Sequence, residues 1–372
     1  MKIRPFKLER YFARYEFSVK HIMSASDCES MTVAELMALG GDEAMEAWKD
    51  LRLNYTEPKG HPDLLAGIAD GYDGIGPENL ITLVPEEGIF LAMNALLERG
   101  DHVIALSPIY QSLLEIPRSI GCTLSEWPIV LEGNRWKLDL DHLESLLRPE
   151  TKLLVVNFPH NPTGFQPTKE EFRRILSLTE ERGIWVFSDE MYRGLEPTAD
   201  LRLPSAAEIY PKAVSLSGLS KSYGLPGLRM GWLACTDHYL MEKVTCLRDY
   251  TTICGSAPSE LLSIMALRCA DDLMERCRKI VAENGVTAAE FFGKHEDLFR
   301  WIPPMAGSIG FPVLNGDFPA EDFFAHVVEK KNLMVLPGSV FGVDENHFRI
   351  GLGRKDFSKC CEILEEYLRE RG

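Results

Sequence analysis

From about Asn79 to Cys235 the chain repeats one pattern, a short β-rich run followed by a stretch with helical spacing of apolar residues. The strand candidates are Asn79 to Val84, Asp101 to Leu106, Lys152 to Phe158, Gly183 to Ser188, Lys212 to Leu216 and Gly231 to Cys235. Runs such as LLVVNF and IWVF are apolar without alternation, which suits strands covered on both faces. Helical stretches, Glu86 to Leu97 after the first strand and Lys169 to Arg182 further on, supply the crossovers that parallel pairing requires. The expectation is a doubly wound α/β fold with a mainly parallel sheet, in which ligands bind beyond the C-terminal ends of the strands.

The tail follows another pattern. Asp271 to Phe292 and Asp356 to Arg371 read as long helices, with strand candidates around Ser308 to Val313, Met334 to Leu336 and His347 to Gly351. With 372 residues, the chain exceeds what one hydrophobic core usually organises. A large α/β domain over residues 45–270 is expected, beside a smaller α+β domain made of residues 1–44 and 271–372.

A formal net charge of −16 leaves little room for a basic stripe, so neither nucleic acid nor an anionic membrane is an expected partner. No segment reaches the roughly 18 uninterrupted apolar residues of a membrane span. Met1 to Lys20 alternates charged and aromatic residues and has no signal-peptide core, so a cytoplasmic protein is expected. The nine cysteines show no C-x-x-C pair or regular spacing, and they read as small buried hydrophobes, with no metal ligands among them and no disulfides.

Chemistry concentrates in three segments, each at the end of a strand candidate. They are Asn157-Phe158-Pro159-His160-Asn161-Pro162-Thr163-Gly164, Ser188-Asp189-Glu190-Met191-Tyr192, and the run from Ser217 through Ser220 and Lys221 to Arg229. Any one of them has a plain explanation, since turns need Asn, Pro and Gly, and a charge at a strand end is usually solvated. Together they bring a lysine, a carboxylate, a phenol, a carboxamide and an arginine to one edge of one sheet.

In that order and spacing the three segments resemble the signature of class I/II aminotransferases, the fold-type I pyridoxal-phosphate enzymes. Arg349, in a Phe-Arg-Ile-Gly context, extends the resemblance, which runs from about Asn54 to Arg354. It implies that Lys221 holds pyridoxal 5'-phosphate as a Schiff base and, once released, moves the substrate's α-proton. By the same resemblance, Asp189 pairs with the pyridine nitrogen, and Tyr192 and Asn161 bond the ring's phenolic oxygen. Arg229 clamps the phosphate, Tyr110 stacks on the ring, and Arg349, with Asn161 beside it, receives the substrate carboxylate. Tyr55, in YTEPKG, resembles the residue that reaches the neighbouring subunit's phosphate, which implies a homodimer with shared sites. The reaction implied is amino transfer between an amino acid and a 2-oxo acid.

The sequence departs from the family at two phosphate-binding positions. Gly218 stands where a hydroxyl is frequent, leaving Ser217 and Ser220 as candidates, and Ser220 is taken here. The turn Val84-Pro85-Glu86-Glu87-Gly88 offers a proline without an N–H and two acidic residues, so the amides of Glu86 and Glu87 are expected to face the phosphate while their side chains turn away. Gly71 to Gly76 has the wrong spacing for a dinucleotide loop and precedes a strand, so it reads as a loop.

Two alternatives remain beside amino transfer. One keeps the cofactor and changes the fate of the carbanion, as in β-lyases or an arginine-modifying branch resembling capreomycidine synthase. GLSKSYGLPGLRMGW and Ser26-Asp27-Cys28-Glu29 look like that branch, with Asp27 and Glu29 facing a cationic side chain or forming a solvated acidic loop. The other is a non-enzymatic binding module, against which Lys221, Asp189 and Arg349 argue. Arg354 has no assigned role and is expected to be a surface charge.

Overall fold

The computed structural model describes residues 2–316, 318–343 and 346–371. Its main sheet has eight strands: β1 (Leu80–Leu83), β2 (His102–Ser107), β3 (Thr123–Glu132), β4 (Arg135–Leu138), β5 (Thr151–Asn157), β6 (Trp185–Asp189), β7 (Ala213–Gly218) and β8 (Gly231–Ala234). Their spatial order is β1-β8-β7-β6-β5-β2-β3-β4. The pairs β2–β3, β2–β5, β5–β6 and β6–β7 are parallel, and β8 runs antiparallel to both of its neighbours. The C-terminal ends of β1, β2, β5, β6 and β7 therefore share one edge, and the residues before β8 return to it.

The continuous apolar runs explain this arrangement. Val103 to Leu106, Leu153 to Val156 and Val186 with Phe187 are fully buried, covered on both faces by helices such as Pro85–Leu96 and Lys169–Glu180. At about 25 cal/mol per Å² of apolar area removed from water, full burial of each such Val, Leu, Ile or Phe side chain contributes about 1.5–3 kcal/mol. The β3–β4 hairpin is an addition to the sequence expectation. Its turn is Gly133-Asn134, with Gly133 at φ 57° and Glu132 opposite Arg135.

A second cluster gathers Phe292, Phe324, Phe348, Phe357, Cys360 and Leu364 around Met23. It draws on the helices Ala270–Lys294, Ala320–Lys331 and Phe357–Arg371 and on the strand Phe348–Gly351. The start of the chain enters it through His21–Ile22, which pairs in parallel with Leu333–Met334. Beyond that pair the segment lies directly on Phe348–Gly351. Gly351 N–H donates to the Met23 carbonyl at 2.7 Å, and a Cβ at Gly351 would sit 1.6 Å from the Ala25 carbonyl oxygen. Only glycine permits that approach. Ser24 to Asp27 are thereby delivered to the sheet edge that carries the three motif segments.

Among the described residues no helix is long and apolar enough to cross a membrane, and the nine cysteines are free.

Candidate active site

Each strand end contributes one group. Asn157 and Asp189 are register partners at the ends of β5 and β6, and Asp189 lies opposite Leu216 on β7. Asn157 fixes both neighbouring segments. Its Nδ2 donates to the Asp189 carbonyl at 2.9 Å, and its Oδ1 accepts from Asn161 N–H at 2.7 Å. The Asp189 side chain, 6% exposed, accepts from Met191 N–H at 3.1 Å. Burial pushes its carboxyl up to about 7, opposed by the Met191 contact and by the charge of Lys221.

Lys221 follows β7 by a short turn, and its Nζ donates to Ser26 Oγ at 2.9 Å. Burial lowers the ammonium's pKa; Asp27 opposes this, while Arg349 and Arg229 add to it. A lysine poised toward its free amine is what both covalent attachment and proton transfer need. The Ser26 side chain also hydrogen-bonds Tyr192, whose phenol burial pushes up to about 12. Ser26 therefore links Lys221 to Tyr192.

Arg349 is 1% exposed, donating through NH1 to Asn161 Oδ1 at 3.1 Å and through NH2 to the Ser24 carbonyl at 2.9 Å. Its Nε is buried without a partner, and Phe341 and Phe12 flank the guanidinium with ring centroids 5.5 and 5.9 Å from Cζ. An arginine held this way keeps a donor for an incoming anion. Tyr110, after β2, tilts against Phe6 at 4.9 Å between centroids and donates to Glu9 Oε1 at 3.0 Å.

The residues expected at the phosphate also come together. Ser220 Oγ is buried without a partner. Gly218 cannot carry the more frequent hydroxyl, because a Cβ there would lie 2.9 Å from both Gly231 Cα and the Met230 carbonyl oxygen. The Pro85–Leu96 helix begins at the same edge, and no side chain caps its first turn. Both of its acidic side chains are taken up by neighbouring hydroxyls. Glu87 accepts from the Thr251 hydroxyl and from Thr252 Oγ1 at 2.8 Å, while Glu86 accepts from Ser112 Oγ at 3.3 Å. Burial pushes the Glu86 carboxyl up to about 7, so part of the population is neutral at physiological pH and repels an anion less. Arg229, at φ 51°, is exposed and donates to the Pro226 carbonyl at 2.9 Å. Tyr55 is 89% exposed and meets none of these groups.

Several participants escaped sequence reasoning. Ser24 and Glu9 lie in segments without motif character, and Ser26, although it begins the Ser26-Asp27-Cys28-Glu29 stretch, was given no role of its own. Arg354 is not a free surface charge. Its NH2 bonds Asp27 Oδ2 at 2.7 Å, which also takes Asp27 out of the solvated-loop reading. Glu29 instead accepts from Lys355 N–H at 3.0 Å.

Residues 24–364 match the profile of the family described as aminotransferase class I and II. The chain belongs to that family. Capreomycidine synthase of Streptomyces vinaceus is 30% identical over 356 residues, covering 92% of this chain and 88% of that protein. An aspartate aminotransferase of Thermotoga maritima is 26% identical over 334 residues, covering 88% and 85%. A PLP-dependent aminotransferase from Streptococcus suis superposes with a TM-score of 0.93 at 31% identity, covering 100% and 99% of the two chains. The PLP-dependent cyclase OrfR superposes at 0.92 and 30%, with the same coverage. As a member of the aminotransferase family the protein is a pyridoxal-phosphate enzyme, and its residues fit the cofactor. The lysine is desolvated, and among the described residues no cation is bonded to the Asp189 carboxyl and no acceptor to Ser220 Oγ.

Proposed function

We propose that this aminotransferase takes an amino acid with a cationic side chain as its amino donor and passes the amino group to a 2-oxo acid. The observation that carries the donor class is a set of three carboxylates, Glu9, Glu16 and Asp27, around Lys221 and Arg349. The charges of Glu9 and Asp27 act on both Lys221 and Arg349, and those of Asp27 and Glu9, together with burial, raise the Glu16 carboxyl. The one cation bonded to the set is Arg354, among the described residues. A substrate cation would restore the balance, whereas an acidic side chain would be repelled.

Bound pyridoxal phosphate supplies an aldehyde and an electron-withdrawing ring that stabilises charge at the substrate α-carbon. Lys221 would hold it through the amine. Asp189, ionised beside a protonated ring nitrogen, would keep that proton in place. Tyr192 and Asn161 would donate to the ring's phenolic oxygen, with Tyr110 against the ring face. Ser220, Arg229 and the amides of Glu86 and Glu87 would take the phosphate, and Arg349 would orient the substrate carboxylate. The released Lys221 amine would then carry the α-proton, steadied by Ser26. The exposure of Tyr55 suits a homodimer in which that residue completes the neighbouring subunit's site.

A second reading has one observation in its favour. The same acidic set would bind an arginine-like substrate that carries a β-leaving group such as a hydroxyl. That group departs with the α-proton, as water, and the guanidine nitrogen then adds at the β-carbon while the α-carbon regains a proton. The likeness to capreomycidine synthase and OrfR is consistent with this. An amino-acid panel followed by absorbance separates the readings. With arginine, lysine or ornithine, stoichiometric oxo acid and the pyridoxamine form are expected. A cyclised product without oxo acid from a β-hydroxylated arginine selects the second reading, and equal rates with aspartate sink the cationic donor.

A further inference from the structure

Outside the active site, one group of side chains has no part in this chemistry. His21 lies in the short strand beside Leu333–Met334, Asp356 immediately precedes the Phe357–Arg371 helix, and Cys360 lies one turn further on. Cys360 N–H donates to the Asp356 carbonyl at 3.0 Å, which places the two side chains one above the other. The His21 imidazole nitrogen, an Asp356 carboxylate oxygen and the Cys360 sulfur all lie within 4.8 Å of one another.

We propose that His21, Asp356 and Cys360 form a zinc site that fastens the N-terminal segment to the C-terminal helix. The His21 Nδ1 atom is buried and has no hydrogen-bond partner among the described residues, standing 3.8 Å from Asp356 Oδ2. A buried ring nitrogen without a partner loses its hydration for nothing in return, and a metal bond repairs that. Cys360 is 0% exposed, and its sulfur faces the other two groups.

The donor set selects the ion. One imidazole nitrogen, one thiolate and one carboxylate suit Zn(II), whereas Ca(II) and Mg(II) take oxygen ligands. In a tetrahedral zinc site with bonds of about 2.0–2.3 Å, ligand atoms stand about 3.3–3.8 Å apart. The observed spread needs a closure of about 1 Å. His21 and Asp356, with side chains 28% and 49% exposed, have the freedom to supply it by rotation, while Cys360 stays fixed in its helix. Their exposed side leaves the fourth position to water.

The position gives the site its consequence. Met23 N–H donates to the Met334 carbonyl at 2.9 Å just past His21, and the segment then presents Ser24 to Arg349 and Ser26 to Lys221. A metal at His21 would shorten the free length of that segment and limit its excursions from the cleft. The lack of regular cysteine spacing had predicted no metal site. These ligands come from opposite ends of the chain, where spacing gives no signal.

The test uses holoenzyme stripped with a chelator and titrated with Co(II) as a spectroscopic stand-in for Zn(II). One equivalent is expected to bind, with a thiolate-to-cobalt band and the intense visible bands of tetrahedral cobalt. His21→Ala and Cys360→Ser should each weaken binding at least about 100-fold and abolish the thiolate band, while the cofactor's absorbance stays unchanged. If Cys360→Ser does not fold, His21→Ala and Asp356→Asn, both at partly exposed positions, carry the test. A wild-type protein without the band, or a band that persists in these variants, would overturn the proposal.

Discussion

Lys221 Nζ and Ser26 Oγ are hydrogen-bonded at 2.9 Å, and the same serine side chain bonds Tyr192. The contact joins the sheet edge to a segment that reaches it only because Gly351 lets the Ala25 carbonyl lie against the strand. Ser26→Ala leaves the amine's covalent capacity intact and removes the group that steadies it. A hydrogen bond to a charged group is worth about 1.5–3 kcal/mol, so kcat should fall about 10- to 100-fold. Cofactor absorbance at saturation should not change. An unaltered kcat in stopped-flow kinetics would remove Ser26 from the mechanism.

Arg349→Lys tests the substrate carboxylate site. Lysine keeps the charge but loses the planar fork, and it cannot serve Asn161, the Ser24 carbonyl and an incoming carboxylate together. The expected result is a rise in KM of about 10- to 100-fold for every amino acid in the panel, cationic or not. A loss confined to one substrate would place Arg349 at a side-chain subsite instead.

Asp189 makes the cofactor-free protein pH-sensitive. Its carboxyl moves from an ordinary 3.8 to about 7 because burial disfavours the charge. Between those values the folded chain holds a proton that the unfolded chain lacks, so this group's contribution to stability falls as pH rises from about 4 to about 7 and then stays level. Asp189→Asn removes the penalty. Without cofactor, the variant should be more stable than wild type at pH 8 by a few kcal/mol, on the order of the shift, with the margin shrinking toward pH 4. Urea denaturation at several pH values measures it; a margin independent of pH contradicts the assignment. With cofactor loaded, the same variant should lose most of its activity.

The sheet and its motif segments were legible because each rests on a local rule. LLVVNF and IWVF announce buried strands by composition, with Asn161 and Asp189 at their ends, and Lys221 follows the strand run KAVSL within a few residues. What escaped depends on contacts distant in sequence. Ser26 becomes functional only when residues 23–27 settle on the strand Phe348–Gly351, and Arg354 finds Asp27 for the same reason. No periodicity marks either event. The β3–β4 hairpin was missed for another reason: Thr123–Glu132 exposes much of its length and carries Pro128, so it lacks the apolar continuity of the central strands. Tyr55 marks a third kind of gap, since its expected role needs a second copy of the chain.

Gly218 offers a sharper test of the phosphate region than any loss-of-charge variant. A hydroxyl is frequent at this position in the family, yet the Cβ it requires would stand 2.9 Å from Gly231 Cα and the Met230 carbonyl oxygen, and 3.3 Å from Met191 Cε. The backbone of β8 cannot yield easily, because a Cβ at Gly231 would itself lie 2.7 Å from Pro85 Cγ at the start of the helix proposed to face the phosphate. Gly218→Ser should therefore push β7 and β8 apart, destabilise the protein by about 1–3 kcal/mol as overpacking does, and weaken cofactor affinity instead of improving it. Ser220→Ala removes a hydroxyl without adding volume, so it should weaken cofactor binding while leaving the denaturation midpoint of the cofactor-free protein nearly unchanged. Equilibrium dialysis of the cofactor together with denaturation of both variants separates the two effects. Tighter binding in Gly218→Ser would mean that the β7–β8 edge is more yielding than its packing implies.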